Sequence, residues 1–363
     1  LPNDFRVKTG KNFGHTVRKT MKFTRKTTIC GGLLTAVLLL TLTGCQEKPV
    51  QKQIFAMDTV MDLTAYGKQG EQALAEAVQV INDTAAQLDP DFPDSETARL
   101  NSGEKRVTIS EQTAAMMQTA ATVYERSGGA LDLTIYPVVE TWGFIDQNYR
   151  VPEAEEIQAA LTQKNFSGIE LEEEGGQWYL TLPEGAELSF GAVAKGATGD
   201  AVTDTLRDAG VSGALISLGG NVQTLGQKPD GSDWRIAVQD PNDLSGYLGV
   251  LEVGETAVVT SGGYQRYFEQ DGAVYHHIID PATGYPADSG LQSVTVVCPE
   301  GVMADCLSTA LFVLGEEGAL EYWRTYGGFE LILVTEDGRV VATSGLEGRF
   351  TPQGDTYTYL FTD

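Results

Sequence analysis

Histidine, cysteine and positive charge are all scarce in this chain of 363 residues, and each scarcity removes a class of function. Three histidines, one of them His15 far upstream, leave too few imidazoles for a zinc site. Of four cysteines, Cys30 and Cys45 lie in the N-terminal stretch. Cys298 and Cys306 are expected as two buried thiols rather than a disulfide. Beyond residue 45 there are 17 Lys+Arg (25 minus 8) against 49 Asp+Glu (50 minus 1), a balance near −32. No basic patch remains for a phosphate backbone, which excludes nucleic acid as a partner. A Gly-x-Ser-x-Gly elbow is missing, so a hydrolase nucleophile of that kind is excluded. Internal repeats and low-complexity tracts are also absent after residue 45. No apolar run reaches the ~20 residues of a membrane span.

The longest apolar run, Ile29 to Leu42, has another explanation. Met21, Lys22, Arg25 and Lys26 precede it and Leu42-Thr43-Gly44-Cys45 follows it, the plan of an export signal. A cysteine directly after Leu-Thr-Gly resembles the bacterial lipoprotein processing box, which implies cleavage before Cys45 and a lipid on its sulfur. The expected organisation is an upstream extension (1–20), a lipoprotein signal peptide (21–44), a tether (45–53) and one large domain (54–363). An acidic protein is repelled by an anionic bilayer, so the lipid would supply the attachment. The expected address is a bacterial cell membrane, on its extracytoplasmic face.

Within the domain, 54–66 alternates as a strand interrupted by Met57-Asp58-Thr59. Apolar residues at 74, 77, 78, 81, 85 and 88 predict an amphipathic helix over Gly70–Leu88, stopped by Asp89-Pro90. Ser110 caps a predicted helix over 111–126, closed by Gly128-Gly129. Further helices are expected at 152–165, from Gly196 to Gly210, at 302–314 and at 316–326. Strands are expected at 168–173, 177–182, 187–190, 214–218, 222–226, 234–239, 247–253, 257–260, 264–269, 273–279, 293–297, 329–335, 339–343 and 356–361. Many antiparallel-looking strands broken by clusters of helices predict an α+β fold, a strand-rich core with flanking helices. The acidic hairpin Glu170–Gln177 reads as a solvated surface.

Chemistry concentrates between residues 260 and 309. The stretch from His277 to Pro286 ends a strand and spends its turn on Asp-Pro, Thr-Gly and Tyr-Pro, a rigid mount for a proton acceptor. Asp305 and Thr309 are four apart on one helical face, so a carboxylate and a hydroxyl converge as a hard cation requires. Singly, these pieces have plainer readings. Gly191–Gly196 with Lys195 could cradle a phosphate or simply start a helix. Gly219-Gly220-Asn221 could be a strand-exit turn, Asp132 an Asx-turn acceptor, and His276-His277 a satisfied structural pair.

Taken in order, the pieces resemble the ApbE family of periplasmic or surface FAD:protein FMN transferases over about residues 53–345. They are Met57-Asp58-Thr59, Ala130-Leu131-Asp132-Leu133-Thr134, Gly191–Gly196, Gly219-Gly220-Asn221, Thr260–Tyr264, His277–Pro286 and Ala304–Leu311. The resemblance implies a T-fold-like architecture and transfer of the FMN half of FAD to a Thr or Ser hydroxyl, with release of AMP. The acceptor would be an exported protein with a Ser/Thr-Gly-Ala-Thr type site, and one or two Mg²⁺ ions would be required. It further implies His277 as the base, with Asp280 orienting it or the turn. Asp305, Thr309 and the backbone carbonyl of Ala192 would hold the metal. Met57, Ala130, Leu131, Asp132, Lys195 and Ile279 would line the FAD. Three departures stand out: Asp58 for the usual Gly, Ser189 for an Asp, and Leu131 for a Phe. The chain has no acceptor-like Ser/Thr-Gly-Ala-Thr of its own. Two alternatives share the address: an FAD pyrophosphatase giving free FMN, and a lipoprotein that only binds flavin.

Overall fold

The computed structural model describes residues 48–363, so the expected signal, the Cys45 anchor and the start of the tether lie outside the described residues. The chain runs through β1 (Val50–Ala56), β2 (Thr59–Tyr66), α1 (Gly70–Leu88), α2 (Glu96–Asn101), β3 (Val107–Ile109), α3 (Glu111–Arg126), α4 (Tyr136–Thr141), α5 (Ala154–Leu161), β4 (Glu170–Glu174), β5 (Gln177–Thr181) and α6 (Ala194–Asp208). It continues through β6 (Gly213–Leu218), β7 (Asn221–Gly226), β8 (Trp234–Asp240), β9 (Asp243–Val253), β10 (Thr256–Gly262), β11 (Tyr267–Gln270), β12 (Ala273–His276) and β13 (Leu291–Cys298). Last come α7 (Gly301–Tyr326), β14 (Glu330–Thr335), β15 (Arg339–Thr343), β16 (Phe350–Pro352) and β17 (Thr358–Thr362).

Period-2 alternation builds the centre. Ala257, Val259, Val294, Val296, Leu331 and Leu333 turn toward one apolar cluster, which Leu307, Leu311 and Phe312 of α7 complete. Their neighbours Val258, Val297, Ile332 and Val334 turn the other way, against Trp234, Ile236, Val238 and Leu251. The register Val258↔Val297 and Val259↔Val296 keeps the two sets apart. The result is a nine-stranded sheet, β1-β2-β6-β7-β10-β13-β14-β15-β17, helices on one face and the small sheet β16-β9-β8 on the other. Its pairings are antiparallel except β15 with β17. At one end, α1 and α6 cover β1, β2 and β6.

Several boundaries differ from the sequence expectation. The interrupted strand at 54–66 is a hairpin, because Met57 (φ 49) and Asp58 (φ 58) both adopt the left-handed conformation of a two-residue turn between Ala56 and Thr59. Since β1 begins at Val50, residues expected in the tether are sheet. No strand forms at 187–190: the Asn101 side chain binds both the N–H and the carbonyl of Leu188 at 2.9 Å, standing in for a neighbouring strand. The expected strand at 264–269 starts only at Tyr267, and the helix at 152–165 is confined to Ala154–Leu161. The two helices expected after 302 do meet at a break: α7 leaves helical geometry at Gly315 (φ 71), where a side chain would also meet the Ser289 carbonyl. The helix over Gly70–Leu88 and the Ser110 cap on Thr113 N–H (3.0 Å) are as the sequence implies, and Cys298 and Cys306 are buried free thiols.

Close backbone approach joins α6 to α7. A Cβ at Gly196 would lie 2.2 Å from the Gly301 carbonyl oxygen and 2.7 Å from Asp305 Cβ. Gly196→Ala is therefore expected to destabilise the protein by about 1–3 kcal/mol through overpacking. Gly254→Ala, with nothing within 4 Å of the added methyl, is expected to be neutral. Chemical denaturation of both variants checks this; equal midpoints would show that the crossing tolerates a methyl.

Candidate active site

The α6–α7 crossing buries a carboxylate. Asp305 Oδ2 accepts a hydrogen bond from Gly196 N–H at 2.8 Å, and only 4 % of the residue is exposed. Burial pushes its pKa up, while the Lys195 ammonium and the N–H of Gly196 pull the other way. Asn221, at the start of β7, also faces this carboxylate, and its Nδ2 is buried without a partner in the protein. Gln223 locks the crossing from below: its Nε2 donates to the Gly196 carbonyl (3.0 Å) and its Oε1 accepts from Thr203 Oγ1 (3.1 Å). Asp200 accepts from the N–H groups of Gly301 (2.7 Å) and Val302 (2.8 Å), capping α7 from another helix. Its pKa is raised to about 6 by burial, despite those two donors. Sequence reasoning missed both Asp200 and Gln223, since a polar residue inside a helix or strand carries no local signal of such a role.

Hydroxyls line the next turns of α7. Ser261 Oγ lies 2.8 Å from Ser308 Oγ and 3.5 Å from Thr309 Oγ1, and Ser308 Oγ donates to the Asp305 carbonyl at 3.0 Å. Ala192 sits in the turn leading into α6, one helical turn before the Gly196 N–H that binds Asp305. Among the described residues no three His, Cys, Asp or Glu side chains converge on a metal position. A cation here would take Asp305 as its acidic ligand, with hydroxyl and carbonyl oxygens completing an all-oxygen shell. That donor chemistry fits a hard divalent ion such as Mg²⁺ and not zinc. The buried carboxylate, poor in countercharge, fits it as well.

The two adjacent histidines have different fates. His276 uses both ring nitrogens, Nε2 with the Ala287 carbonyl (3.2 Å) and Nδ1 with Ile278 N–H (3.3 Å). His277 Nδ1 lies 3.1 Å from the Arg266 carbonyl oxygen, which can only accept. Nδ1 therefore carries the proton and Nε2 keeps its lone pair. Burial, then the Arg266 charge, draws the His277 pKa down to about 3, with His276 and Lys195 adding smaller repulsions. Lys195 thus acts electrostatically on both Asp305 and His277.

Asp280 shapes the turn and does not touch the imidazole. Its Oδ1 accepts from Ala282 N–H (2.8 Å), and its carbonyl accepts from Thr283 (3.2 Å) and Gly284 (2.8 Å). Of the two roles open to it in the sequence, turn-holding is the one its contacts support; the His277 ring is oriented by a backbone carbonyl instead. Trp142 Nε1 pins the same turn through the Gly284 carbonyl at 2.8 Å.

The expected flavin-lining residues divide. Met57 occupies the β1–β2 turn with its sulfur 3.9 Å from Thr198 Oγ1, and Lys195 and Ala130 are half-buried. Leu131 and Ile279 are 2 % and 6 % exposed, packed into apolar clusters, so only their backbones are left for a ligand. Asp132 is committed within the protein. Its Oδ1 accepts from the N–H (2.8 Å) and Oγ1 (2.6 Å) of Thr134, and Oδ2 lies 3.2 Å from Lys164 Nζ. Ser189, where an Asp is usual, accepts from Gly191 N–H at 3.1 Å and so shapes the turn into α6.

The chain and its fold have relatives among known proteins. The ApbE family profile matches residues 57–333. An FAD:protein FMN transferase of Klebsiella pneumoniae is 36% identical over 294 residues, covering 80% of this chain and 91% of that protein. Among solved structures, the ApbE protein of Thermotoga maritima aligns with a TM-score of 0.77 and 27% identity, over 83% of this chain and 99% of its own. The flavin transferase ApbE of Vibrio cholerae aligns with a TM-score of 0.72 and 28% identity, over 84% and 99%. A single strand-rich α+β fold therefore carries the buried aspartate and the free imidazole, and the chain belongs to the ApbE family.

Proposed function

We propose that this chain transfers the FMN half of FAD to a Thr or Ser hydroxyl of an exported acceptor protein, with AMP as the leaving group. The observation that carries the reading is a buried Asp305 carboxylate held by Gly196 N–H, next in the chain to Lys195, together with a His277 ring whose Nδ1 is committed to the Arg266 carbonyl and whose Nε2 is unspent. An oxygen-only pocket for a cation, a phosphate-sized positive charge and an unspent ring nitrogen are what attack on a diphosphate demands.

In the step proposed, the acceptor hydroxyl oxygen bonds to the phosphorus on the FMN side of the diphosphate. The bond from that phosphorus to the bridging oxygen breaks, and that oxygen leaves with AMP. His277 Nε2 takes the hydroxyl proton while Nδ1–H stays bonded to the Arg266 carbonyl. A His277 pKa near 3 keeps the ring neutral, and the negative charges of the bound dinucleotide raise its basicity when it is needed. Lys195 holds a phosphate oxygen as a point charge. Mg²⁺ would be held by Asp305, Thr309 and the Ala192 carbonyl. When bound, it neutralises diphosphate charge. A Ser/Thr-Gly-Ala-Thr type site is the proposed acceptor, and a lipid on Cys45 is the proposed attachment, to the outer face of a bacterial membrane.

The test incubates the purified protein with FAD and Mg²⁺, with and without an exported protein bearing that acceptor site. Flavin that migrates with the denatured acceptor is expected; free FMN without labelled protein, or unchanged FAD, would overturn the reading. Asp305→Ala is expected to abolish the Mg²⁺-dependent rate, and retention of full rate in chelator-treated buffer would refute the metal assignment. His277→Gln is expected to lower the transfer rate by about 10²–10⁴-fold. A wild-type rate in that variant would remove the base.

A further inference from the structure

Arg266 joins three segments on which the site depends. Its carbonyl oxygen accepts both the His277 backbone N–H (3.1 Å) and the imidazole Nδ1–H (3.1 Å). Its guanidinium donates to the Phe144 carbonyl at 3.3 Å, next to the aromatic residues that pack around the His turn. The same guanidinium lies 3.5 Å from Asp58 Oδ2. Asp58 is the second residue of the β1–β2 turn, at a left-handed φ of 58° that suits glycine best. The turn thus holds a non-glycine residue in that conformation and presents its carboxylate to Arg266. The first residue of that turn, Met57, reaches Thr198 on α6. One hairpin turn therefore touches both the helix bearing Lys195 and the residue whose carbonyl holds the His277 ring. The charged and titratable groups facing His277 are Arg266, His276 on β12 and Lys195 on α6.

We propose that Asp58 and Arg266 form a latch in which Arg266 is the positioning residue for His277 and Asp58 holds Arg266 in place. The carbonyl of Arg266 fixes the tautomer, and its guanidinium, tethered by Asp58 and Phe144, keeps a positive charge beside the ring. The inference rests on the reading of His277 as the base and adds to it the groups that tune it. Asp58 acts through Arg266, so removing both should do no more than removing Arg266.

The experiment uses the full chain and has two readouts. The first is NMR titration of the His277 ring, assignable by substitution because the chain has three histidines. Arg266→Gln is expected to raise the pH at which His277 protonates by about one unit, since a neighbouring positive charge is removed. Arg266→Lys, which keeps the charge, is expected to stay near the wild type. The second readout is the flavin-transfer rate of Arg266→Gln, Asp58→Asn and the double variant. Arg266→Gln is expected to lose about 5- to 50-fold in kcat, Asp58→Asn, whose ion pair is exposed, no more than about 5-fold, and the double variant to match Arg266→Gln. An unmoved His277 titration in Arg266→Gln, an equal shift in Arg266→Lys, or additive losses in the double variant would overturn the latch. The titration needs no turnover. Absence of transfer in the wild type would therefore sink the reaction reading alone, and a failed latch would show in the titration while transfer continued.

Discussion

A carboxylate taken out of water at the crossing of two helices is the constraint around which this domain is arranged. Burying an ionised group is costly unless donors and opposite charge compensate it. Asp305 has one backbone N–H at 2.8 Å, the field of Lys195 and the facing Asn221 amide. That geometry requires α6 and α7 to meet backbone to backbone, hence glycine at 196 and 301, where a Cβ would overlap the partner helix or Gln223. Asp200 then takes the N–H groups at the start of α7 that would otherwise be unsatisfied, and Gln223 ties α6 to β7 through the Gly196 carbonyl. The crossing is rigid because several independent bonds define it. An additional positive charge is what the carboxylate still lacks.

The His turn solves the opposite problem, keeping an imidazole uncharged. Trp142, Phe144 and Phe268 pack around Ile279 and Tyr275, and the imidazole meets the Phe144 ring edge-on at 6.4 Å. Desolvation there disfavours the imidazolium, and positive neighbours on two sides disfavour it further. Such a ring is a poor base in the empty protein and a better one beside an anion. Its proton affinity is thereby coupled to the presence of a negatively charged substrate, by Coulomb's law and without any movement of the fold.

Much of this was readable in the residues. The motif order pointed to the family, and the α+β class followed from strands without regular helix alternation. Gly70–Leu88 and the Ser110-capped helix were legible because local periodicity and capping decide them. The failures share one cause. The β1–β2 hairpin depends on two non-glycine residues in a left-handed conformation, which sequence rules assign to glycine or asparagine. The missing strand near 188 depends on Asn101, 87 residues away. Asp305, Thr309 and His277 were singled out by spacing and by the resemblance, while the contacts of Asp305 with Gly196 N–H and of His277 with the Arg266 carbonyl had no sequence signal. Asp280 and Asp132 were visible as polar residues, but whether a carboxylate faces a ligand or its own backbone is decided by the turn it sits in. Arg266, Gln223 and Asp200 act across the fold and leave no local trace.

The charge balance sharpens the same point. The chain beyond residue 45, with 49 acidic against 17 basic residues, repels a dinucleotide and should bind it poorly, unless positive potential is concentrated where the phosphates must sit. Many of its basic residues are already paired on the surface, as Arg99 is with Glu104, Arg106 with Glu172 and Glu174, Arg150 with Glu156, and Arg339 with Glu316. Lys195 is spent otherwise, set half-buried at the start of α6 beside a buried acid and a neutral imidazole. One ammonium cannot offset a diphosphate and Asp305 together. On the proposed reading, a bound cation would supply the positive charge that is still missing. The oxygen-rich first turns of α7 are where this sequence supplies ligands for one.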